Sequence, residues 1–293
     1  MRRIGVFAAV VSLMVAPLVA AGVTSASASG TSVIYTSLVA SPLPGNIPSI
    51  GGEAYSFNEF GNEITFAPST NRQLTNVVLE LSSWGCYSGS WYANNCSTPS
   101  GATFNEPITL NIYNPPANGS TSPGSLITSV TQTFAIPYRP SMSAKCTGGE
   151  WFDNSLKHCF NGYATNVTFN LKNVIVPDFI VYGVAYNTTH HGYNPIGEGA
   201  ACYTSSGGCG YDSLNIALSQ DPANVVVGTD TLPGSVWQNA VWGGEYCDGG
   251  ISGIGTFRLD SPPPASCWLD PYVSGTEYFV PAIQFKAGAV GHG

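Results

Sequence analysis

The chain has 293 residues, a formal net charge of −8 and only 9% charged residues, with 34 glycines, 21 prolines and 12% aromatics. An acidic surface this poor in lysine and arginine repels nucleic acid and anionic lipid, so neither is an expected partner. A hydrophobic fraction of 43% also excludes a disordered chain, which combines low hydrophobicity with high charge.

The first thirty residues read MRRIGVFAAVVSLMVAPLVAAGVTSASASG. Arg2 and Arg3 form a short positive region, an apolar stretch runs from Ile4 to Val23, and Ala26-Ser27-Ala28 offers small side chains for cleavage. This predicts a secretory signal peptide over 1–28, removed on export, and not a membrane span. The expected mature chain, 29–293, is one secreted domain with no membrane partner, a length that suits a single large all-β unit. Without Arg2 and Arg3, seven basic residues face 17 acidic ones.

Strand signals then dominate. In 74–82 (LTNVVLELS), Val77, Leu79 and Leu81 alternate with Val78, Glu80 and Ser82, the period of a half-buried strand. The same alternation marks 108–113 (ITLNIY), 166–171 (NVTFNL) and 212–219 (DSLNIALS). The run 179–187 (FIVYGVAYN) is apolar on both faces and is expected to be a central strand. The last strands are expected at 255–260 and 277–285, with Pro281 forcing a bulge or an edge in the final one. Proline- and glycine-rich turns separate these runs, and no window shows sustained helical periodicity. The expectation is an all-β antiparallel sandwich with long loops.

Eight cysteines, an even number in an exported chain, imply disulfides that clip those loops. Many pairings are open to eight cysteines. Nearest-neighbour pairing gives Cys86–Cys96, Cys146–Cys159, Cys202–Cys209 and Cys247–Cys267, each closing a loop rich in glycine, serine and asparagine.

The segments SFNEFGNEITFA (56–67), ITLNIYNPP (108–116), PGSLITSVTQTFAIPYRP (123–140), VYGVAYNT (181–188) and YDSLNIALS (211–219) resemble a group of secreted bacterial β-sandwich proteins without assigned function, some of them surface-anchored. The resemblance spans roughly residues 32–286 and implies a jelly-roll-like sandwich of the kind used for carbohydrate binding and surface attachment. It carries no catalytic residues. The present sequence ends AGAVGHG without a sorting tail, which favours release from the cell over attachment.

Three constellations are candidates for chemistry. The loop WGCYSGSWYANNC (84–96) sets Trp84, Tyr87, Trp91 and Tyr92 in and beside a short disulfide ring, where flat rings beside amides and hydroxyls suit a neutral sugar. A second aromatic group, Trp237, Trp242, Tyr246, Trp268 and Tyr272, follows towards the C-terminus. The loop NTTHHGYNPIGEG (187–199) holds His190, His191 and Glu198, a general base or ligand set if it is more than a polar loop. Catalytic zinc uses three protein ligands, and no HExxH spacing is present. Glu59 with Glu63, and Glu245 with Asp248, are the carboxylate pairs that glycoside hydrolysis would need. The segments 228–230 and 248–250 could instead hold a structural calcium; no other cofactor is expected. The leading expectation is a secreted, non-catalytic protein that binds extracellular polysaccharide. The alternatives are a glycan-cleaving enzyme and a structural or adhesive surface protein.

Overall fold

The computed structural model describes residues 30–39, 43, 45–51, 57, 59–89, 93–186, 214–221, 224–233, 235, 237–239, 256–259 and 278–290. The first strands are β1 (Ser32–Thr36), β2 (Ser49–Gly51), β3 (Glu59–Thr65), β4 (Asn71–Ser83), β5 (Thr103–Tyr113) and β6 (Leu126–Pro137). They are followed by β7 (Trp151–Asp153), β8 (His158–Phe160), β9 (Tyr163–Ile175), β10 (Phe179–Ala185) and β11 (Leu214–Asp221). The last are β12 (Thr229–Asp230), β13 (Trp237–Gln238), β14 (Arg258–Leu259), β15 (Tyr278–Pro281) and β16 (Ile283–Ala289). All pairings are antiparallel, and no described residue is helical.

Two seven-stranded sheets face each other. The first runs β1-β16-β4-β11-β15, with β9 on the other edge of β4 and β2 on β11; the second runs β14-β13-β3-β10-β5-β6, with β12 on β3. The alternation read at 74–82 is the C-terminal part of β4, and Val77, Leu79 and Leu81 are fully buried between the sheets. From the second sheet Phe60, Ile64, Leu110, Ile112, Ile180 and Tyr182 meet them. Phe285 lies at the seam, with its ring 5.5 Å from both Phe66 and Tyr182 and 6.2 Å from Tyr35. The double-sided run 179–187 becomes β10, flanked by β3 and β5 as a central strand should be.

Pro281 has the effect expected of it. The predicted strand 277–285 is two strands, because the chain changes partner at Ala282: β15 pairs with β11, and β16 with β4 and β1. Ala282 keeps its backbone bonds by donating to the Ala217 carbonyl at 2.9 Å and accepting from the Glu80 N–H at 3.0 Å.

Each outer face carries a small second core. On the first sheet Ala164, Ala217 and Ala282 are covered by Val39, Leu43 and Ile47. On the second, Val181 is covered by Trp237 and Phe257, with Tyr113 and Leu259 beside them. Acidic side chains lie at both places, and Glu80 and Glu63 are 1% and 4% exposed.

Two of the expected disulfides are present, Cys86–Cys96 and Cys146–Cys159, and they suggest an oxidising, extracellular setting. Each closes a short loop, for which chain entropy gives a stabilisation of about 2–3 kcal/mol. Cys202, Cys209, Cys247 and Cys267 lie outside the described residues. No helix among the described residues is long and apolar enough to cross a membrane.

Candidate binding cleft at the clipped rim

The two disulfide loops dock on each other at one end of the sandwich. Beside the Cys86–Cys96 bond, Ser88 and Ser97 exchange backbone hydrogen bonds of 3.0 and 2.8 Å. Gly89, at φ +71°, permits the reversal, and a β carbon there would strike the Asn95 carbonyl. The segment 138–142 then runs alongside 96–102. Tyr138 N–H donates to the Ala102 carbonyl at 3.1 Å, Met142 N–H to the Cys96 carbonyl at 3.0 Å, and Thr98 N–H to Ser141 Oγ at 2.8 Å. Arg139 is fully buried at this joint. Its N–H donates to the Gly85 carbonyl at 2.9 Å and its guanidinium to the Gly149 carbonyl at 2.8 Å, so one residue ties both loops together.

Between these segments lies a cleft of about 520 Å³. Its walls include Pro99, Tyr138, Met142, Trp151, Phe152 and Tyr163, with Thr98, Ser100, Ser141 and Ser143 supplying hydroxyls. No lining side chain is charged. Tyr138 packs on Phe104 at 4.8 Å and meets Tyr87 edge-on at 5.7 Å, which extends the aromatic surface outward to a ring that is 56% exposed. Trp151 supports the far wall: it is 5% exposed, contacts Phe160 and Tyr163, and donates its indole N–H to the Gly162 carbonyl at 2.7 Å. Lys145 Nζ sits 4.6 Å from the centre of the Phe152 ring.

Of the aromatic residues expected in the 84–96 loop, Tyr87 is exposed, while Trp84 is half-buried with its indole against Gly162. Trp91 and Tyr92 lie outside the described residues, as do His190, His191, Glu198, Glu245, Asp248 and the 248–250 segment. The second wall, with Tyr138, Phe152 and Tyr163, was not expected. Its signal was present in WFDNSLKHCF (151–160), where aromatics adjoin the Cys146–Cys159 clip as they do in the first loop.

Glu59 and Glu63 share the outer face of β3, four positions apart, which puts their Cα atoms roughly 13 Å apart at the usual strand rise. Glu59 leans across Gly183 to β5, where its Oε1 accepts from Asn111 Nδ2 at 2.8 Å and from the Tyr113 hydroxyl at 3.1 Å. Burial raises its pKa against those two bonds, and raises Glu63 to about 7. The Tyr113 hydroxyl is pushed up by burial and by the adjacent Glu59 charge. In 228–230, Asp230 Oδ1 accepts the Leu232 N–H at 3.1 Å, a local turn bond. Among the described residues the one three-ligand group is Cys146, Glu150 and Cys159, and both its sulfurs belong to the disulfide.

Comparison of the chain with protein-family models, curated proteins and solved structures finds no match.

Proposed function

We propose that the chain is an exported, non-catalytic binding module whose rim cleft takes an uncharged extracellular polysaccharide. The observation that carries this is the cleft itself: aromatic walls and hydroxyls, no charge, and a frame fixed by two disulfides and a buried arginine. Aromatic faces suit the CH surfaces of a sugar ring, and serine and threonine hydroxyls suit its hydroxyls. A frame that is already ordered loses little conformational freedom on binding. A net negative chain disfavours anionic polymers.

The glycan-cleaving alternative has less support. Retaining and inverting hydrolases hold their carboxyls within about 10 Å of each other. Such a pair needs both carboxyls free to face the sugar, and Glu59 Oε1 is already engaged by Asn111 and Tyr113.

The test is depletion of the protein from solution by an insoluble uncharged polysaccharide, repeated with Tyr138→Ala and Phe152→Ala. Wild type is expected to be depleted, and each variant to bind about tenfold more weakly while keeping its circular dichroism spectrum. Unchanged binding by both variants would remove the cleft from the account. Release of reducing sugar would favour the enzyme instead.

A further inference from the structure

We propose that the free edge of β6 is an interface for a second copy of this chain, the two β6 strands pairing antiparallel about a two-fold axis at Gln132. The strand lies beyond β5 at the end of the second sheet, and no described strand pairs with its other side. The register with β5 fixes which backbone groups that side presents. Tyr138 N–H donates to the Ala102 carbonyl, one step from the Thr103–Pro137 pair. Bonded pairs recur at every second step of an antiparallel ladder, so Ile136, Phe134, Gln132 and Val130 bond inward to β5. Thr133 falls in the other set, opposite Pro107, which has no N–H to donate. The N–H and C=O groups of Ser129, Thr131, Thr133 and Ala135 therefore point away from β5, and all four residues are exposed.

Folded proteins usually blunt such an edge with charge, proline or a bulge, because a long open one invites pairing. The adjacent edge of the first sheet is blunted. On β9, the Gln132 side chain caps Asn170, donating from Nε2 to its carbonyl at 2.9 Å and accepting its N–H at 3.3 Å. Close by are the exposed Lys172, Asn173 at φ +56° and a break in the register with β4. The strand β6 has none of these devices. Between Ser129 and Ala135 it reads SVTQTFA, with no charge and no proline, and its register with β5 is unbroken.

Charge and symmetry select a second copy as the occupant. Two chains of net charge −8 repel each other, but residues 107–138, which hold most of β5 and all of β6, carry no charged side chain. With the axis at Gln132, Ser129 meets the partner's Ala135 and Thr131 meets the partner's Thr133. Every free group of the four residues is then bonded in one register. Threonine opposite threonine is a favourable cross-strand pair. On the inner face Val130 meets the partner's Phe134, and both side chains are of the partly buried kind that gains from further cover. The interface at Ser129–Ala135 shares no residue with the rim cleft. Tyr138 lies six positions from the axis on each strand, so the two clefts sit roughly 40 Å apart at opposite ends of the joined sheet. One long polysaccharide can then engage both. That consequence rests on the proposed role of the cleft; the dimer does not.

The test is sedimentation of the full mature chain over a range of concentrations, with amide hydrogen exchange followed residue by residue. Wild type is expected to have twice the monomer mass when concentrated and the monomer mass when dilute. The amides of Ser129, Thr131, Thr133 and Ala135 should exchange slowly in the dimer and lose that protection on dilution. Thr131→Lys combined with Thr133→Lys sets like charges face to face across the axis. This variant should keep its circular dichroism spectrum and have the monomer mass where wild type is dimeric. Asn166→Lys combined with Thr168→Lys adds the same charge at exposed positions of β9 and should still dimerise. A monomer at every concentration, a dimer that survives the lysines on β6, or protection of these amides only when polysaccharide or an extended peptide is added would each overturn the proposal.

Discussion

Replacing Phe285 with alanine is expected to destabilise the fold by about 3–5 kcal/mol, the usual cost of removing a large buried ring. The reason is position as well as size. Phe285 is fully buried on β16, and its ring contacts Tyr35 from the first sheet, Phe66 from the segment after β3, and Tyr182 from the second sheet. Its backbone pairs with Tyr35 on one side and Val77 on the other, so the surrounding strands are held and cannot close around the gap. Urea unfolding with matched slopes measures the loss. A loss below about 1 kcal/mol would mean that the two sheets do not meet at this ring.

Stability is expected to fall as pH rises from about 4.5 to about 7, the opposite of ordinary acid denaturation. Burial raises Glu63 and Glu80 from 4.5 to about 7 in the folded chain. Glu80 accepts one bond, from the Val39 N–H at 3.0 Å, and its other oxygen has none. Between the two values the folded chain holds protons that the unfolded chain has released. Its advantage is therefore complete below about 4.5 and lost as pH passes about 7, with an upper bound of about 3 kcal/mol for each group. Glu59 is shifted in the same direction. Glu80→Gln keeps an acceptor for Val39 and removes the charge, so it should be at least as stable as wild type at pH 8 and flatten the profile. Thermal unfolding across this range reads the effect. A profile that is flat or rises towards pH 8 would contradict it.

How much of this was legible depended on which neighbour decided each residue's surroundings. Val77, Leu79 and Leu81 gave β4 away because apolar side chains on the inner face alternate with Glu80 and Ser82 on the outer one, although those two are also buried. The strand β10 was legible for the opposite reason, since Val181, Tyr182 and Val184 are buried on both sides. The strand β3 was hidden. Its sequence EFGNEIT places Glu59, Gly61 and Glu63 outward and Asn62 inward, and both Glu63 and Asn62 are buried in a sheet where β3 pairs with β12 and β13 from much later in the chain. Pro281 announced the break in the final strand, but the change of partner at Ala282 was a property of the sheet. At the rim, the disulfide clips and Tyr87 were legible from local composition. The cleft was not, because it exists only where the loop holding Cys86–Cys96 meets the one holding Cys146–Cys159, and the joint is Arg139, whose sequence neighbours give no hint of burial.

We propose that an uncharged glycan binds in the rim cleft. The most direct measurement is a titration of isotope-labelled protein with a neutral oligosaccharide, followed by amide chemical shifts. Binding at the rim predicts saturable shifts concentrated at Thr98–Ala102, Tyr138–Ser143, Trp151, Phe152 and Tyr163. Shifts centred on another surface, or none at saturating oligosaccharide, would contradict it.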